Sequence, residues 1–89
     1  MEITILRSED TLEIHVLGHT KTEFCNGISC LLWSLLAWAV NFAEGEHDFK
    51  SGDSYIRVKK CSPDIVNFME TAIEQMAYNN SEIVIKRGK

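Results

Sequence analysis

The chain has 89 residues, enough for one hydrophobic core and too few for two. Apolar residues make up 45% and charged residues 25%, the balance of a folded globular domain and not of a disordered segment. A net charge of −4 leaves no basic stripe to neutralise phosphates, which argues against nucleic acid as the main ligand.

From the N-terminus, Glu2 to Arg7 alternates, with Ile3 and Ile5 on one face and Thr4 and Leu6 on the other. Ser8-Glu9-Asp10 reads as a polar turn. Thr11 to Gly18 alternates again, Leu12, Ile14 and Val16 opposing Glu13, His15 and Leu17. Two such runs across so short a turn predict an antiparallel hairpin. Residues 19–27 carry no periodicity and read as loop. From Ile28 to Ala43, Ile28, Leu31, Leu32, Leu35, Leu36, Ala39, Val40 and Phe42 recur at helical spacing. Trp33, Ala37 and Trp38 make this helix apolar almost all round. It therefore needs cover on more than one side, with Trp33 and Trp38 as core or interface anchors. It stays short of about 20 uninterrupted apolar residues, so no membrane span is expected.

Glu44 to Asp48 reads as an exit loop with Gly45 as the helix stop. Ser54 to Lys60 alternates, with Ile56 and Val58 inward. Ser62-Pro63-Asp64 predicts a helix start: a capping hydroxyl, a proline whose missing N–H costs nothing there, and an acid at the positive helix end. That helix buries Ile65, Val66, Phe68, Met69, Ala72, Ile73 and Met76 and ends near Tyr78. Glu82 to Lys86 makes a last strand, and Lys86-Arg87-Gly88-Lys89 a frayed basic tail. The order ββαβαβ predicts an α+β fold in a single domain over residues 1–89. Its core is a mostly antiparallel four-stranded sheet with both helices packed on one face. The other face carries Leu6, Leu17, Tyr55 and Val84 among polar residues. A domain this small buries only about 60% of its unfolded surface, so pairing with a second copy would add stability.

Three cysteines, Cys25, Cys30 and Cys61, form no CxxC pair, and Met1-Glu2-Ile3-Thr4 lacks the basic and apolar regions of a signal peptide. Reduced thiols in a cytoplasmic protein are expected. Cys30 falls in the first turn of the predicted long helix, where backbone amides favour a thiolate and can hold an oxyanion. His19 ends a strand, and the loop between them can bring its ring to the sulfur. Ser34 lies one helical turn beyond Cys30. By spacing alone, a cysteine in an apolar helix is commonly just a small buried side chain. Cys25 reads as a loop thiol, with a redox pairing to Cys30 as the sharper option. Cys61 reads as structural, and His15 and His47 as surface residues. His15, His19, Cys25 and Cys30 match no recurrent zinc spacing, and no metal or cofactor is expected.

Gly18-His19, Glu23-Phe24, Ile28-x-Cys30 and Ser34 resemble the signature of the ribosomal-processing cysteine proteases called Prp. In that family a Gly-His pair ends the second strand, and a G-x-D-I-V-C run with a serine four residues on opens the long helix. Here Cys25 stands at a usual glycine, Gly27 at the aspartate and Ser29 at the valine, and the His-to-Cys interval is one residue shorter. The resemblance implies a Cys30–His19 dyad, with Gly18, Glu23 and Ser34 supporting it and loop 20–27 closing over a peptide. It implies a homodimer that removes an N-terminal extension from a large-subunit ribosomal protein, or, in a phage-borne member, acts on a virion precursor. The alternative on the same fold is a module that binds a peptide or ribosomal partner without cutting it. A third option is an assembly factor using the exposed sheet face.

Overall fold

The computed structural model describes residues 1–88. Lys89, the last residue of the expected basic tail, lies outside the described residues. The chain order is β1 (Glu2–Ser8), β2 (Thr11–Leu17), α1 (Thr22–Phe42), β3 (Glu44–Lys50), β4 (Asp53–Lys59), α2 (Pro63–Asn79) and β5 (Val84–Arg87). They form one five-stranded sheet in the order β3-β4-β2-β1-β5. The α+β class stands, and the sheet gains a strand over the four expected. All neighbours are antiparallel except β5, which runs parallel to β1.

Register explains the core. Ile3 pairs Val16, Ile5 pairs Ile14, Ile14 pairs Ile56 and Leu12 pairs Val58, so the β-branched and leucine side chains of three strands share one face. That face is covered by Ile28, Leu32, Leu35 and Ala39 of α1 and by Val66, Met69 and Ile73 of α2, all buried. Ser62 caps α2, its Oγ accepting from the Ile65 N–H at 3.4 Å, with Pro63 opening the helix as expected.

The added strand is the stretch expected to be an exit loop. Glu44–Lys50 pairs with β4 from Glu44↔Lys59 to Lys50↔Asp53. Gly45, His47 and Phe49 face α1, and a β-carbon on Gly45 would lie 3.2 Å from the Ala39 Cβ, so glycine lets strand and helix approach closely. Glu44, Glu46 and Asp48 point the other way, charges of the kind that protect an edge strand from pairing with another chain. The expected basic tail is likewise structured in part: Arg87 closes β5 and pairs with Glu70 and Glu74 of α2.

α1 begins at Thr22, not Ile28. Phe24 continues the apolar stripe one turn before Ile28 and packs on the core. Gly27 lies within this helix where α2 comes close, and a β-carbon there would sit 2.8 Å from Met76 Cε, so glycine makes room for α2. Most of the expected loop 20–27 is therefore helix. By length and composition α1 also qualifies as a membrane-crossing helix, at a mean hydropathy of 1.4, and here its buried stripe lies on the sheet. Its outer side is only partly covered. Trp33, at 56% exposure, sits outside the core, its ring edge-on to Phe49 at 4.9 Å and tilted to His47 at 6.0 Å, while Val40 and Phe42 face solvent.

Candidate functional site

At the end of the sheet where β2 stops, two turns meet. Gly18, at φ 85°, follows β2 and donates its N–H to the Gly52 carbonyl at 2.9 Å. Gly52, at φ 78°, makes the tight turn between β3 and β4. Both backbone conformations favour glycine. His19 comes next, exposed, with its ring against the bare turn: a β-carbon on Gly52 would stand 2.9 Å from His19 Nε2.

This junction opens into a cavity of about 260 Å³ between the sheet end and the start of α1. Its apolar floor is Val16, Ile28 and Leu32, and its polar rim includes His19, Cys25, Ser29, Lys50 and Asp53. Asp53 Oδ1 lies 2.8 Å from His15 Nε2 on the neighbouring strand. Cys25, Ser29 and Leu32 reach the cavity because their spacing puts them on one side of α1.

The Cys25 sulfur is held by backbone. The Thr20 N–H donates to Sγ at 3.3 Å, and the thiol faces the Thr20 carbonyl at 3.4 Å. Thr20 is fixed in turn from the far side of the fold. Asn80, the one buried polar side chain among the described residues, donates through Nδ2 to Thr20 Oγ1 at 2.8 Å. The Thr20 hydroxyl donates to Glu82 Oε1 at 2.7 Å, and the Glu82 N–H returns to Asn80 Oδ1 at 3.0 Å. The chain between β2 and α1 is thereby anchored to the turn between α2 and β5.

Of the residues expected at the site, His19 and Gly18 line the cavity, and Cys30, Glu23 and Ser34 do not. Cys30 is exposed and lies eight residues beyond Thr22, well past the first helical turn. At about 100° per residue it points some 140° away from Cys25 around the helix. The same separation rules out a Cys25–Cys30 disulfide while the helix is intact, and all three cysteines are free. Glu23 is exposed in the first turn of α1, and Ser34 shares the outward side of Cys30. Cys61 is buried at the opposite end of the sheet, where burial first and nearby Asp10 second push its thiol pKa up. Among the described residues, no three His, Cys, Asp or Glu side chains gather as a metal-holding group.

Sequence reasoning offered Cys25 only as a loop thiol or a redox partner of Cys30, and gave Ser29, Gly52 and Asp53 no role at the site. A signal for the turn was present: Ser51-Gly52 stands between two runs of alternating residues, a common hairpin punctuation.

A sheet of this order with two helices on one face defines the chain as a Prp-like fold. The particular likeness is to the ribosomal processing protease Prp from S. aureus in complex with a covalently linked product peptide, at TM-score 0.75 and 15% identity, with 98% of each chain covered. The same protease with a substrate peptide gives a TM-score of 0.69 at 9% identity, again over 98% of each chain. SMU.848 from Streptococcus mutans gives 0.61 at 17% identity, over 98% of this chain and 94% of that one. At these identities the likeness is one of fold. No family model and no curated protein matches the sequence.

Proposed function

We propose that this chain is a cysteine endopeptidase of the Prp type, with His19 as the acid–base group. The observation that carries the reading is the cavity itself: the His19 imidazole rims an open hollow beside the start of the cysteine-bearing helix, in a fold shared with a protease caught on its product peptide. The mechanism this supports is thiol attack on a peptide carbonyl, with the thiol proton passing to His19 and then to the departing amine, followed by hydrolysis of the thioester. The sequence resemblance nominates Cys30 as the nucleophile, with Gly18, Glu23 and Ser34 in support. For Cys30 to reach His19, the first turns of α1 must unwind so that the helix starts near Ile28.

The substrate carried over from the resemblance is a large-subunit ribosomal protein with an N-terminal extension, or a phage virion precursor, met in the cytoplasm. A second copy of the chain is part of this reading, and exposed Trp33, Val40 and Phe42 on α1 support such pairing. The purified protein incubated with either precursor should release a new N-terminus by mass spectrometry, and His19→Ala should abolish it. Both precursors remaining intact would sink the reading. The second reading, a module that binds the same peptides without cutting them, is favoured by one observation: Cys30 faces solvent and not the cavity. Precursors bound but uncut would establish it.

A further inference from the structure

We infer that Asn80, buried at the end of α2, is the positioning residue of His19 and acts through Thr20. The inference rests on the peptidase reading for its reaction, while its geometry stands apart from that reading. An imidazole that moves protons needs its ring held, and the usual holder is a side chain bonded to one of its nitrogens. His15 has such a partner in Asp53 at 2.8 Å. Among the described residues His19 has none, and its ring lies on the bare backbone of Gly52. What holds His19 is the chain on either side of it. Before it, the Gly18 N–H is tied to the Gly52 carbonyl at 2.9 Å. After it, Thr20 receives the Asn80 Nδ2 at 2.8 Å on its Oγ1, donates that hydroxyl to Glu82 Oε1 at 2.7 Å, and sends its N–H to Cys25 Sγ at 3.3 Å.

Asn80 uses both ends of its amide. Oδ1 accepts from the Glu82 N–H at 3.0 Å, a local bond of the kind that shapes a turn after a helix. Nδ2 does something a turn does not need: it reaches 60 residues back along the chain, to the residue beside His19. Because Asn80 is buried, a shift of Thr20 would strand that N–H away from water, so the bond holds Thr20 to one place. The same anchor sets where movement can begin. Gly18 to Thr20 are fixed to the sheet end and to the turn between α2 and β5. The unwinding that brings Cys30 inward in the peptidase reading therefore starts at Lys21 and leaves His19 where it is.

Thr20→Val tests this on the full chain, since it removes the hydroxyl and leaves the Asn80 turn intact. The readout is the nuclear Overhauser contact between the His19 ring and the Gly52 α-protons. The His15–Tyr55 ring pair, with centroids 6.1 Å apart, serves as internal reference. In Thr20→Val and in Asn80→Ala the His19 contact should fall at least threefold against that reference, and Thr20→Ser should keep it. On a precursor that the wild type cuts, both disrupting variants should lower kcat about tenfold and leave KM within twofold, because substrate still binds while the proton carrier is misplaced. A side chain that only held the fold together would lower the melting temperature and move neither readout. The inference is overturned if the His19 contact survives in Thr20→Val or in a folded Asn80→Ala, or if it is lost while kcat holds. A wild type that cuts no precursor removes the peptidase reading, and the Overhauser contact still decides whether Asn80 places His19.

Discussion

Cys25 and Cys61 mark opposite ends of the central strand β2, about 20 Å apart for seven extended residues, and the two ends are built on different principles. Around Cys61 the structure is closed. Its N–H donates to the Asp10 carbonyl at 2.7 Å, its thiol is buried, and Arg7, Glu70, Arg87 and Glu74 tie β1, α2 and β5 together nearby. Around Cys25 the structure is open: two left-handed glycines, an exposed imidazole and a hollow where side chains would otherwise fill the space. The same residue type is inert filler at one end and a presented thiol at the other. Position relative to the sheet end and the helix start makes the difference, since a free thiol without such surroundings behaves as a small hydrophobe.

The largest expected effect breaks the frame of the open end. Asn80→Ala removes the amide that donates to Thr20 Oγ1 and takes away the acceptor of the Glu82 N–H, while the Thr20 hydroxyl keeps Glu82 Oε1. A loss of about 2 kcal/mol is expected for two part-buried hydrogen bonds, read by urea denaturation. At the closed end, Glu70→Gln takes away the one carboxylate shared by Arg7 and Arg87. Because that side chain is only 12% exposed, about 1–2 kcal/mol is expected, above the usual surface pair. The cost should shrink in high salt. Gly52→Ala is smaller in stability, about 1 kcal/mol for a β-carbon at positive φ, yet it crowds His19 Nε2. A His19-dependent reaction should fall more than the melting temperature does.

What the sequence made legible follows from where burial alternates. β1, β2 and β4 carry strict apolar alternation because one face of each is covered, and the second helix announces itself through Ser62-Pro63-Asp64. β3 was hidden because an edge strand over a helix shoulder needs only Gly45, His47 and Phe49 inward and keeps charges outward, so it has no β-branched signature. The start of α1 was hidden because Asn26-Gly27 reads as a break, whereas Gly27 is the residue that makes room for Met76. That misplaced start moved Cys30 into a first turn it does not occupy. His19 and Gly18 were legible because a Gly-His pair closing a strand marks a turn in any register. Cys25 was not, because its setting is made by Thr20, which Asn80 and Glu82 hold from 60 and 62 residues further along the chain.

The smallest effect separates the two ends by pH. Cys61 has its pKa raised above its ordinary value of 9.0 by burial and by Asp10. Tyr55, on the open sheet face, is raised above 10.0, first by partial burial and then by Glu13, whose Oε1 accepts from its hydroxyl at 3.2 Å. In both cases the unfolded chain loses its proton at the ordinary value while the folded chain still holds it. Between those two points the folded state binds more protons, so stability is complete below the ordinary value and declines as pH climbs through the folded one. A melting curve series should therefore be level near pH 7–8 and slope downward above about pH 9. Cys61→Ala should flatten the first part of that slope and Tyr55→Phe the later part. A Cys61→Ala protein whose alkaline slope matches that of the wild type would show that the closed end does not hold its thiol as a buried, neutral group.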